Sequence, residues 1–108
     1  MKQPFTYDSF LRILEHAADV PVDETSFSFD DDAEAEEHML GFIRSNETPY
    51  WAGYCDRPAG CAFRTASELL EAKIFDGKSI KERWTHIIWN SIGGISLSEW
   101  LGSFGDML

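Results

Sequence analysis

Cys55 followed by Asp56, with His86 elsewhere in the chain, supplies the residue types of a thiol nucleophile, an orienting acid and a base. A thiol becomes a good nucleophile at neutral pH only when a neighbouring base or cation favours its thiolate. Nothing in the spacing brings these three together, and a cysteine ending a strand is ordinarily a small packing residue. Cys55 and Cys61 with His38 and His86 would make a Cys2His2 set. Five residues between the cysteines and scattered histidines lack the close pairs that hold tetrahedral zinc. The two sulfurs flank a turn, where oxidation could join them across a hairpin. Both are expected as reduced thiols, dispensable for activity, because no cation or metal ligand accompanies them.

Asp30, Asp31 and Asp32 followed by Glu34, Glu36 and Glu37 superficially match a calcium loop. With Asp30 in first place, however, Ala35 and Gly41 stand where that loop needs its glycine and its bidentate glutamate. Gly77-Lys78-Ser79 has the end of a phosphate-binding loop but Ala72 in place of its first glycine. No cofactor and no metal site are therefore expected. His86 or Cys55, working with the aromatic hairpin described below, is what a small enzyme or ligand-binding domain would use.

Charge gives the more telling pattern. Residues 1–56 carry thirteen Asp and Glu against three Lys and Arg, whereas residues 57–108 carry six of each, for a net charge of −10. Such a surface repels nucleic acid and anionic membrane and attracts basic partners. The expected function is a non-enzymatic interaction or regulatory module whose acidic half, centred on Asp30, Asp31, Asp32, Glu34, Glu36 and Glu37, binds a basic protein surface. Imitation of a nucleic acid is one specific form of this, since clustered carboxylates can occupy phosphate sites. Trp51 and Tyr54, alternating on a short hairpin, are the aromatic residues expected to be exposed for binding, while most other rings are expected in the core.

The elements that position these residues follow from length and periodicity. With 108 residues and 44% hydrophobic composition, one domain over 1–108 that folds without disulfides or metal is expected. The N-terminus has no apolar leader and no segment is long enough to span a bilayer, which suggests a cytoplasmic protein. Phe10, Leu11, Leu14, Ala17 and Ala18 recur at helical steps, predicting a helix over 6–18 capped by Thr6 or Asp8. Pro21 ends it, and residues 25–29 read as a connector or short edge strand. Asp31 with Glu34 has capping-box spacing, predicting a second helix over 31–44 with the acids at its start. Residues 50–64 predict a β-hairpin turning at 56–60. Thr65 with Glu68, Ser79 with Glu82, and Ser96 with Glu99 predict helices over 66–74, near 80–84 and from 96 onward. Residues 85–92 predict a central strand covered on both faces. The sum is an α+β fold: a small three-stranded, mostly antiparallel sheet packed against N- and C-terminal helices.

Overall fold

Hydroxyl side chains start the helices. Thr6 Oγ1 accepts the Ser9 N–H at 3.2 Å while Ser9 Oγ accepts the Thr6 N–H at 3.4 Å, opening α1 (Tyr7–Glu15). Thr65 Oγ1 accepts the Glu68 N–H at 3.1 Å to open α2 (Ala66–Glu71). Ser96 Oγ accepts the Glu99 N–H at 3.2 Å to open α3 (Leu97–Phe104). Each bond satisfies an amide that the first helical turn leaves without a partner. The structure is a computed structural model describing residues 5–53, 55–57 and 60–104. Ser79 and Glu82 also exchange capping bonds, at 3.1 and 3.0 Å. Only a turn follows, and a 3₁₀ helix at Trp84–His86 takes the place of the helix expected near 80–84.

The class is α+β, but the sheet has five antiparallel strands rather than three. They are β1 (Thr25–Phe29), β2 (His38–Phe42), β3 (Tyr50–Gly53), β4 (Cys61–Phe63) and β5 (Ile87–Ser91), in the order β4-β3-β2-β1-β5. The expected hairpin over 50–64 is β3 paired with β4. The helix expected over 31–44 is instead a loop followed by β2. Asp32 turns its carboxylate back onto the Glu34 and Glu36 amides, at 3.1 and 3.3 Å, and Ala35 takes φ 47°. A local carboxylate bond and a left-handed residue both compete with helix formation. The next residues alternate: His38 and Leu40 are buried, and Met39 between them is half-buried.

Strand placement is also inverted. Residues 25–29, expected as a connector or edge, are β1, flanked by β2 and β5 and buried along their whole length. The strand expected to be central, β5, is an edge strand whose Ile88 and Asn90 are exposed. Only the face carrying Phe27, Phe29, Leu40, Tyr50 and Ala52 enters the core with α1 and α2. The Tyr50 hydroxyl donates to the Leu14 carbonyl at 2.6 Å and so ties β3 to α1. Phe10 meets Trp89 at 4.7 Å between ring centroids, and Trp84 lies 5.6 Å from Trp89, so both tryptophans pack. Beyond β5, Gly93 has φ +59° and a Cβ there would lie 2.2 Å from the Pro21 carbonyl oxygen, a place that only glycine fits. That same oxygen accepts the Trp100 indole N–H at 2.8 Å.

Candidate functional site

The acidic loop between β1 and β2 meets two distant turns. Asp56, following β3, accepts the Asp76 and Gly77 amides on its two carboxylate oxygens, both at 2.9 Å, and donates its own N–H to the Ile74 carbonyl at 2.8 Å. The loop, the Asp56 turn and the Asp76 turn together enclose an open pocket of about 410 Å3. Its walls are Asp32, Glu36, Asp56 and Asp76 with Arg57, Cys55, His38 and Phe75. Four carboxylates thus face one arginine. The His38 ring is buried, stacked 5.5 Å from Phe27 and edge-on to Phe75 at 5.1 Å. Of the loop acids, Asp32 and Glu36 are half-buried in the pocket wall, while Asp30, Asp31, Glu34 and Glu37 are exposed, with Asp30 turned to His86, Asp31 to Arg83 and Glu37 to Ser26.

Arg83 pins the loop to the body of the fold. Its side chain is 9% exposed, with the guanidinium 3.6 Å over the Phe29 ring, and it bonds Asp31 and reaches the Phe75 carbonyl at 3.4 Å. The Arg83 bond holds the Asp31 carboxyl below the ordinary carboxylate range, although Asp31 itself is solvated. Glu82 is likewise lowered, chiefly by the Ser79 amide it accepts. A carboxyl whose folded pKa is depressed adds stability above its unfolded pKa and loses it as pH falls through the folded value. The urea midpoint is therefore expected to decline from about pH 4.5 downward, and Glu82→Gln should flatten that decline. A midpoint equally acid-sensitive in the variant would show that Glu82 takes no part. Asp30 pairs with His86 Nδ1 at 2.8 Å, and both side chains are about half exposed, so the pair contributes little. Asp30, Asp31 and His86 bring three ligand atoms within 4.8 Å, but the Arg83 cation already on Asp31 opposes a metal ion there.

Trp51 lies on the other face of the sheet. Its indole N–H donates to Asp23 Oδ1 at 3.1 Å, and the same oxygen accepts the Phe42 amide at 3.0 Å. Gly41 is opposite Trp51 in the β2–β3 register, and a Cβ on it would stand 2.1 Å from Asp23 Oδ1 and 2.5 Å from the indole. The ring can lie flat because Gly41 has no side chain. Gly41→Ala should displace the indole and break the Asp23 bond, costing about 1–2 kcal/mol. Loss of stability together with a shifted Trp51 indole N–H resonance checks this; an unmoved resonance would contradict it. Tyr54, the other aromatic residue expected to be exposed, lies outside the described residues.

Of the acidic residues singled out from sequence, Asp32 and Glu36 line the pocket, Asp30 and Asp31 turn to His86 and Arg83, and Glu37 bonds Ser26, while Trp51 lies on the other sheet face from the pocket and does not join it. Asp76 and Arg83 were not foreseen at the site, and Asp56 and His38, weighed beside the cysteines, were not foreseen beside the acidic loop. The capping power of an Asp before a turn was a usable signal for Asp56, although its target lies about twenty residues away. Cys55 and Asp56 line the pocket, whereas His86 sits apart with Asp30. Among the described residues no helix is long and apolar enough to cross a membrane. No protein-family model, curated protein or solved structure matches this chain.

Proposed function

We propose that this chain is a non-enzymatic interaction module whose acidic rim docks a basic protein surface, with occupation of a nucleic-acid-binding site as its specific form. The observation that carries this proposal is the convergence of Asp32, Glu36, Asp56 and Asp76 on one pocket, with Asp30, Asp31, Glu34 and Glu37 exposed on the loop that supplies Asp32 and Glu36. Loop carboxylates at this density repel one another, and a cationic partner relieves that repulsion. Glu34 and Glu36 form no ion pair among the described residues. What favours this over an enzyme using Cys55 or His86 is the company of the thiol. Cys55 Sγ lies against Cys61 Sγ at 3.5 Å and the Arg57 carbonyl at 3.6 Å, neither of which is a base strong enough to activate it.

The test is capture of a partner from native lysate at low and high salt, by the natural chain and by a variant carrying Glu34→Gln, Glu36→Gln and Glu37→Gln. Glutamine at 37 retains an acceptor for the Ser26 hydroxyl that Glu37 now binds at 2.6 Å, so the fold should persist. Association with the captured partner is expected to slow about tenfold in the variant and to weaken steeply as salt shortens the screening length below about 8 Å. A partner displaced by nucleic acid would support the mimic. Binding indifferent to both salt and the triple substitution would overturn the acidic-rim proposal and direct attention to the Trp51 face.

A further inference from the structure

Cys61 sits in β4 opposite Ala52, and Cys55 follows the end of β3 by two residues, so the hairpin folds one sulfur back toward the other. Their Sγ atoms are 3.5 Å apart, and both residues are half-buried thiols. A disulfide bond is about 2.05 Å long, so closing the pair needs an approach of about 1.5 Å, within reach of side-chain rotation. We propose that Cys55 and Cys61 are a redox modification site at which a peroxide drives formation of an intramolecular disulfide. This does not depend on the acidic rim having a partner.

Cys55 is the sulfur that meets the oxidant, because it lines the open pocket. Burial, and then the bond with Cys55, raise the Cys61 thiol pKa, which keeps Cys61 protonated in the resting pair. In the first step the Cys55 thiolate attacks a peroxide oxygen, the O–O bond breaks, and the departing hydroxide takes a proton and leaves as water. Cys55 is thereby oxidised to a sulfenic acid. The Cys61 thiolate, formed as its proton passes to solvent, then attacks the Cys55 sulfur. The S–O bond breaks, a second water leaves and the S–S bond forms. Two thiols and one peroxide become one disulfide and two waters.

The neighbouring residue determines what closure does. Asp56 is already fixed by three hydrogen bonds to Ile74, Asp76 and Gly77. A bond from Cys55 to β4 would therefore link the edge of the sheet to that anchored turn and stiffen one wall of the pocket. Treating the reduced protein with equimolar hydrogen peroxide, followed by non-reducing peptide mass mapping, tests the proposal. The expected product is a monomer cross-linked between Cys55 and Cys61, whose share of the oxidised protein is unchanged when the protein is diluted, and which is reversed by dithiothreitol. Its Tm should be higher than that of the reduced chain by about 5 °C or more. In Cys61→Ser, dimedone should trap a sulfenic acid on Cys55, while in Cys55→Ser the remaining Cys61 should react at least tenfold more slowly. Surviving thiols, predominantly intermolecular products, or a Cys55→Ser chain that reacts as fast as the natural one would overturn the site. A closed bond with an unchanged Tm would overturn the stiffening.

Discussion

Trp100→Ala is expected to cost about 3–5 kcal/mol, enough to leave much of the population unfolded in a domain of ordinary stability. Trp100 is fully buried, meets the tilted Phe104 ring at 5.2 Å, and donates its indole N–H to the Pro21 carbonyl. Truncation to alanine opens a cavity the size of the indole, removes that donor, and strands a carbonyl crowded by Gly93. Trp100→Phe separates the two effects, since it keeps most of the packing and should lose about 1–2 kcal/mol for the missing hydrogen bond. Urea unfolding of both variants measures this. A loss below about 1 kcal/mol for Trp100→Ala would mean that α3 is not part of the cooperative core.

Arg83→Ala is expected to lower stability by about 2–3 kcal/mol and to loosen the acidic loop. The side chain covers Phe29, reaches the Phe75 carbonyl, bonds Asp31, and stands 3.8 Å from Asp76. Stacking over a ring in a desolvated site and a buried bond to a carbonyl account for this size of effect, while the solvated Asp31 partner adds little. The full penalty for stranding a buried charge does not apply, because Asp31 can return to water when the arginine is gone. Arg83→Met should recover about half of the loss, since the aliphatic stem still covers the ring. Amide exchange across residues 30–37 should accelerate in both variants, since both lack the cation that pins Asp31. Unchanged exchange there would show that the loop holds itself, through the Asp32 bonds alone.

The parts of the fold legible in sequence are those fixed by neighbours in the chain. Thr6, Thr65 and Ser96 cap helices three residues away, and the hairpin over 50–64 follows from an aromatic run, a turn and a return strand. Local signals misled where tertiary pairing decided. Asp31 and Glu34 have capping-box spacing, yet Asp32 takes the nearby amides and β2 gains its hydrogen bonds from β1 and β3. Met39, Phe42 and Ile43 fit a helical stripe, but the residues of this segment that meet the core are His38, Leu40 and Phe42, two apart. Phe27 and Phe29 alternate with Ser26 and Ser28, the pattern of a strand with one polar face, so residues 25–29 read as a connector or short edge strand; the burial of both serines comes from the pairing with β2 and β5. At the candidate site the carboxylates were visible as composition. Their geometry was not, because Asp56 meets Gly77 and Asp31 meets Arg83 only through the finished fold.

The place of β1 between β2 and β5 has a consequence for synthesis. Phe27 pairs with Trp89, about 60 residues later in the chain. At about 5–20 residues per second, a ribosome needs roughly 3–12 s to produce that stretch. During this interval β1 can pair with β2, but its other edge stays bare and its phenylalanines lack the Trp89 cover. A nascent chain paused before residue 87 would thus expose a hydrophobic strand with open hydrogen-bonding groups, the kind of surface that chaperones hold and that neighbouring nascent chains can join.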